Sequence, residues 1–267
     1  MRGPQRIVAL TEETTEWLYL LEEQERLVGI SAYTERPVQA KKEKPIVSAY
    51  IGGSVKKIKA LHPDLVIGFS DVQAELAREL ITENLQVLIT NQRSIEDIFG
   101  VLEMLGSMIG AEEKSNRLLR EFRDHIEQEA KQRKKRSYRP KVYFEEWDEP
   151  TISAIEWVSE LIEMAGGDPI FADRAKGKAS KERYIKHKEV IDRQPDIFIG
   201  CWCGKPLDKE AVLNRKDYRE IPAIKKGNIY EMDPAIILQP GPACLTDGFR
   251  ELCRIIDEIY EEKVRSA

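Results

Sequence analysis

The residues richest in possible chemistry lie in one stretch, PDIFIGCWCGK, Pro195–Lys205, where an apolar run ends at Gly200 and opens into Cys201, Trp202 and Cys203. Two thiols flanking an indole could ligate a metal, supply a nucleophile or wall a pocket. Thiolates favour soft or borderline ions such as zinc, copper(I) or clustered iron. A closed site needs four ligands, however, and Cys-x-Cys supplies two. A nucleophilic thiol needs a base, and the three histidines, His62, His125 and His187, are scattered along the chain. Walling a pocket is the reading the residues favour: Cys201 packs inward, Trp202 faces a ligand, and Cys203, beside Gly204, lines the site without coordinating.

The same design appears 132 positions earlier in PDLVIGFS, with the aromatic residue Phe69 at the strand end, one position before the counterpart of Trp202. The repeat extends upstream, because KKIKALHPDLVIG and KEVIDRQPDIFIG both read as helix, Pro-Asp, buried strand. RPKVYFEEW likewise repeats QRIVAL. Continuous apolar strands alternating with amphipathic helices predict a parallel sheet covered on both faces. The fold class expected is α/β: two Rossmann-like lobes with parallel sheets, about residues 5–105 and 139–267, with a ligand cleft between them. A charged segment with the narrow apolar stripe Leu118, Leu119, Phe122, Ile126 and Ala130 predicts one long connecting helix within 107–136.

In open parallel sheets ligands bind beyond the carboxyl ends of the strands. Those ends carry Thr11, Tyr33, Tyr50 with Gly52, Phe69 with Ser70, Trp147, Trp202 with Cys203, and Gln239 with Pro240. Aromatic residues recur there, which suits a large flat ligand, since aromatic walls offer rigid apolar area. Thr11 is also the expected N-cap of a helix carrying Trp17, Leu18 and Leu21, with Glu12 and Glu13 at its positive end.

The 267 residues are 33% charged at a net charge of −5, which does not imply bulk nucleic-acid affinity. The run KQRKKR, with five basic residues in six, reads as a solvated helix end. No apolar run reaches the eighteen residues a membrane helix needs. A strand starting at Arg6 leaves no room for a signal peptide, so the expected setting is cytoplasmic, or extracytoplasmic for a trimmed chain. Cys253 falls on the apolar stripe Phe249, Leu252, Ile256 and Ile259 and is expected in the core.

RIVALTEETTEWLYLLEEQERLVGISAYTERP, VKKIKALHPDLVIG and YFEEWDEPTISAIEWVSELIEMAGG resemble, over nearly the whole chain, the periplasmic-binding-protein superfamily members with a single connecting helix. Those proteins serve cobalamin and ferric-siderophore importers, and the third segment resembles the cobalamin-binding branch. The resemblance implies a non-catalytic binding protein for cobalamin or a related corrinoid or tetrapyrrole, with no intrinsic cofactor. It puts Tyr33, Tyr50, Phe69, Trp147 and Trp202 at corrinoid-lining positions. Glu75 falls near the acidic residue that docks lobe one onto an ABC importer permease, the implied partner of an exported chain; Lys209 and Glu210 share the corresponding region of lobe two. Glu12 and Glu13 depart from the small or proline residues usual there and predict an anionic rim unfriendly to siderophores. The alternatives are a ferric-siderophore binder, or a cytoplasmic metal-handling protein or enzyme using Cys201 and Cys203.

Overall fold

The computed structural model describes residues 3–177 and 179–265 and divides into two compact units. The first comprises the chain up to Gln92, then Glu96–Phe122 and Gln239–Ala243; the second holds Arg93–Ile95, Arg123–Leu238 and the chain from Cys244. The helix Glu112–Arg133 contributes to both, and the division falls inside it. A 22-residue helix spans about 33 Å at 1.5 Å per residue. It is separated from the preceding helix, Ile95–Met108, by Gly110, whose φ of +77° a residue with a Cβ rarely adopts.

The first unit is a five-stranded parallel sheet built from β1 (Ile7–Ala9), β2 (Leu27–Ser31), β3 (Ile46–Ser48), β4 (Leu65–Phe69) and β5 (Val87–Thr90), in the order β3-β2-β1-β4-β5. Every residue of β1 and β4 is buried, as central strands covered on both faces require. The helix Glu12–Leu20 is fastened to its neighbour by Trp17, fully buried, whose indole N–H donates to Leu102 O at 2.8 Å.

The second unit pairs β6 (Lys141–Asp148), β7 (Thr151–Ser153), β8 (Asp168–Pro169), β9 (Ile197–Gly200) and β10 (Ile229–Glu231) in the order β10-β9-β6-β7, with β8 also on β6. The pairs β6–β8, β6–β9 and β9–β10 are parallel, but β6 and β7 are antiparallel. That hairpin departs from the all-parallel expectation. After its first residues align with β8 and β9, β6 runs on to Asp148, and a two-residue turn suffices to bring Thr151 back alongside.

The Pro-Asp repeat does one job in each unit. His62 and Gln194 both end their helices with φ near +50° (48° and 49°), and the following Pro starts the new direction. Asp64 then accepts from the Gln5 and Arg6 amides at 2.7 and 3.0 Å, tying the start of β4 to that of β1. Asp196 accepts from the Lys141 amide at 2.9 Å and the Tyr138 hydroxyl at 2.6 Å, tying β9 to β6.

The basic run at the end of Glu112–Arg133 is not simply solvated. Arg133, 8% exposed, forks onto Asp257 at 3.0 and 2.6 Å, and Arg136 reaches the same carboxylate at 2.7 Å while lying over the Tyr260 ring. These cations fix the terminal helix Phe249–Arg265, in which Cys253 is a buried core residue.

Candidate functional site

In the first unit the strand ends meet on Gln73. This side chain is fully buried, receives the Phe69 amide on its Oε1 at 3.0 Å, and donates from Nε2 to Tyr50 O at 2.9 Å and Leu10 O at 3.3 Å. One amide therefore holds the ends of β1 and β4 and the loop after β3. Sequence reasoning missed it; the available signal was a polar residue at an inward position of the helical segment that follows β4. Above this pin, Tyr33 and Tyr50 are 47% and 40% exposed and meet edge to face with centroids 6.1 Å apart. Gly52 is exposed on the same loop, with open space where a Cβ would sit. Phe69 and Ser70 are buried, and the Ser70 backbone adopts φ +57°. Glu75, 82% exposed in its side chain, pairs with Arg78 on the outer surface of the helix Ala74–Thr82.

Thr11 stands at the N-cap position but does not cap. Its hydroxyl donates to Glu13 Oε1 at 2.7 Å. The anionic rim expected from Glu12 and Glu13 is corrected as well, since both side chains are buried together with Glu16. Glu12 Oε2 accepts from the Glu35 amide at 3.1 Å, and Glu16 Oε2 from the Ala243 amide at 3.1 Å. Arg36 pairs with Glu16 at 2.8 Å. Burial, reinforced by Glu16 and Glu13, pushes the Glu12 carboxyl up to about 8 against the Glu35 amide; burial likewise lifts Glu13 to about 7 against the Thr11 hydroxyl. Among the described residues, Glu12 Oε1 and Glu13 Oε2 find no hydrogen-bond partner. These carboxyls are internal fasteners for the Tyr33 loop and for Gln239–Ala243, which joins the first unit although it comes near the end of the chain. Pro240 is buried there, its carbonyl accepting from Gln92 Nε2 at 3.1 Å, and Gln239 is half-buried beside it.

In the second unit the aromatic residues sit over a buried ion pair. Glu145, fully buried on β6, takes Arg215 in a fork at 2.6 and 2.8 Å, the Tyr143 hydroxyl at 2.7 Å and the Trp202 indole N–H at 3.1 Å. Burial alone would lower the Arg215 guanidinium, but the Glu145 carboxylate reverses this and holds it charged. Tyr143 is raised well above its ordinary value, by burial first and then by Glu145.

Trp202 thus departs from the ligand-facing position expected of it. It is 3% exposed and belongs to the core cluster with Tyr143 and Phe198, because its N–H finds its acceptor inside the unit. Trp147, half-buried near the end of β6, is the more accessible indole, its N–H donating to Glu149 O at 2.9 Å. Cys201 is fully buried, as expected, and burial pushes its thiol well above the ordinary range. A thiol held protonated is a poor metal ligand. Cys203 is half-buried, and among the described residues no group of three or more His, Cys, Asp or Glu side chains could hold a metal ion. Also among them, no helix is long and apolar enough to cross a membrane.

With this geometry the chain can be set beside known proteins. A family model described as periplasmic binding protein matches residues 7–236. The ABC transporter substrate-binding lipoprotein YvrC of Bacillus subtilis, itself uncharacterized, is 25% identical over 261 residues, covering 96% of this chain and 81% of that protein. A vitamin B12-binding protein of Vibrio campbellii is 25% identical over 269 residues, covering 98% and 93%. Among solved structures, the periplasmic vitamin B12 binding protein of Vibrio cholerae superposes with a TM-score of 0.76 at 22% identity, over 97% of this chain and 99% of that one. A periplasmic heme binding protein of Pseudomonas aeruginosa gives 0.80 at 19% identity, over 95% and 92%. The fold is shared alike by neighbours with different ligands.

Proposed function

This chain belongs to the periplasmic binding protein family, and from that membership we propose that it is a non-catalytic binding protein for cobalamin or a closely related corrinoid, delivering its ligand to an ABC importer. The observation that carries the choice of a flat macrocycle is the aromatic residues at the strand ends, the exposed Tyr33–Tyr50 pair and the half-buried Trp147. Gln73 fixes the Tyr50 backbone and the Glu149 carbonyl fixes the Trp147 indole, and an aromatic residue so fixed loses little entropy on stacking. Burying ~400 Å² of corrin surface is worth roughly 10 kcal/mol gross, against an association cost on the order of 4–15 kcal/mol. Affinity therefore depends on how far these rings are pre-positioned.

The relatives named as vitamin B12-binding support corrin over other macrocycles, and those named as a lipoprotein or as periplasmic support an extracytoplasmic setting over the cytoplasmic one. Glu75, exposed on its helix, is the proposed contact for the importer's permease. Cys203 is proposed to line the ligand without coordinating it.

Titration of the purified chain with cyanocobalamin, followed in the visible and by quenching of tryptophan fluorescence, tests the reading. Saturable binding is expected. Binding of hemin or a ferric siderophore in place of cobalamin would overturn the corrinoid assignment while leaving the family intact. Trp147→Ala is expected to weaken cobalamin binding by about 1–3 kcal/mol, the scale of one stacked aromatic contact. Unchanged affinity would remove Trp147 from the site. Cys203→Ser should leave the spectrum of bound cobalamin unaltered, and a sulfur-dependent shift would establish coordination.

A further inference from the structure

The ammonium of Lys205 occupies the aromatic surface of the second unit. Its Nζ lies 4.6 Å from the centroid of the Trp147 ring and 4.7 Å from that of Trp202. It also donates to both carboxylate oxygens of Asp148 at 2.8 Å each. Both distances to the rings fall within the reach of a cation–π contact.

The members of this group differ in their freedom. Trp147 is held by its N–H on Glu149 O, and Trp202 by its N–H on the buried Glu145. Asp148 belongs to β6. Lys205, by contrast, stands in the loop after β9, next to Gly204 at φ +84°, on a flexible stem with 40% of its side chain exposed. Lysine is the part that can leave.

Resting on the reading that Trp147 stacks on a flat ligand, we propose that Lys205 is a specificity-determining residue that admits flat ligands carrying an anionic group, a phosphate or a carboxylate. A ring system settling on Trp147 displaces the ammonium from the indole face. The displaced charge needs an acceptor other than Asp148 to recover what it loses. A ligand with an acidic arm supplies one and forms a charge-assisted hydrogen bond. A neutral ligand of the same shape leaves the ammonium without a new partner and must compete with it for the indole. The lysine therefore acts through the difference between two ligands.

The experiment measures the affinities of cyanocobalamin, of dicyanocobinamide, which lacks the phosphodiester, and of a cobalamin monocarboxylic acid. The proteins are the wild type, Lys205→Met and Lys205→Arg, each checked for its fold by near-ultraviolet circular dichroism. In the wild type, cyanocobalamin is expected to bind about tenfold or more tightly than dicyanocobinamide if the phosphodiester is the acceptor. If a carboxylate is the acceptor, the monocarboxylic acid is expected to bind more tightly than cyanocobalamin by a similar factor. Lys205→Met is expected to collapse the preference to about twofold and to raise the affinity for the less acidic ligand. Lys205→Arg, which keeps the charge, is expected to retain it. The proposal is overturned if the wild type binds without any such preference, or if Lys205→Met keeps it in full; either result leaves the corrinoid reading standing. If the wild type binds none of the three, the corrinoid reading and the proposal fall together.

Discussion

Replacing Arg215 with methionine is expected to destabilise the second unit by about 3–5 kcal/mol, the scale found when one partner of a buried ion pair is removed. Glu145 is fully exposed to this loss because it has no access to solvent: its two oxygens serve Arg215, Tyr143 and Trp202. Without the guanidinium, its buried carboxylate keeps only two neutral donors, the Tyr143 hydroxyl and the Trp202 indole. Trp202 and Tyr143 both donate to this carboxylate, so the damage reaches the wall beneath Lys205. The double variant Glu145→Gln/Arg215→Met removes the stranded charge and should recover a large part of the loss. Urea unfolding of the two variants measures both effects. A single variant within 1 kcal/mol of wild type would show that the pair is not a structural support.

The carboxyls at the start of the helix Glu12–Leu20 should make the first unit less stable as pH rises. Folded Glu12 and Glu13 protonate near 8 and 7, whereas an unfolded glutamate does so near 4.5. Between those values the folded chain binds more protons than the unfolded one, so stability falls with pH. The contribution is fully present below pH 4.5 and is lost as pH rises through about 7 and 8. At about 1.4 kcal/mol per unit of displacement, the loss is on the order of 3–5 kcal/mol for each carboxyl across that window. Burial is the main cause, so glutamine, which carries no charge to desolvate, should not show it. Glu12→Gln/Glu13→Gln is expected to match wild type near pH 5 and to exceed it by several kcal/mol at pH 8.5. Parallel stability profiles for the two proteins over pH 5–8.5 would refute the assignment.

The sequence by itself determined the alternation of strands and helices, and with it the α/β class and the ends of strands where a ligand site belongs. Those features are local: a run such as LVIGF is apolar at every position because a central parallel strand is covered on both faces. The Pro-Asp repeat was equally legible, since helix, Pro-Asp and strand recur in the same order in both units, although the amides that each Asp anchors lie 55 to 59 positions away. Tertiary structure decided what the polar residues do. Glu12 and Glu13 read locally as solvent-facing helix starters, and only the Glu35 amide, with the burial that surrounds them, turns them into internal fasteners. Glu16 reaches the Ala243 amide 227 positions away, Glu145 reaches Arg215 across 70, and Lys205 reaches Asp148 across 57. Trp202 was read as facing a ligand from its place at a strand end, where aromatic residues recur; its N–H instead finds an acceptor on another strand. Periodicity records how much of each side chain is buried along its own element, whereas the partner of a charge or a hydrogen bond depends on which elements the fold brings side by side, and no local pattern carries that information.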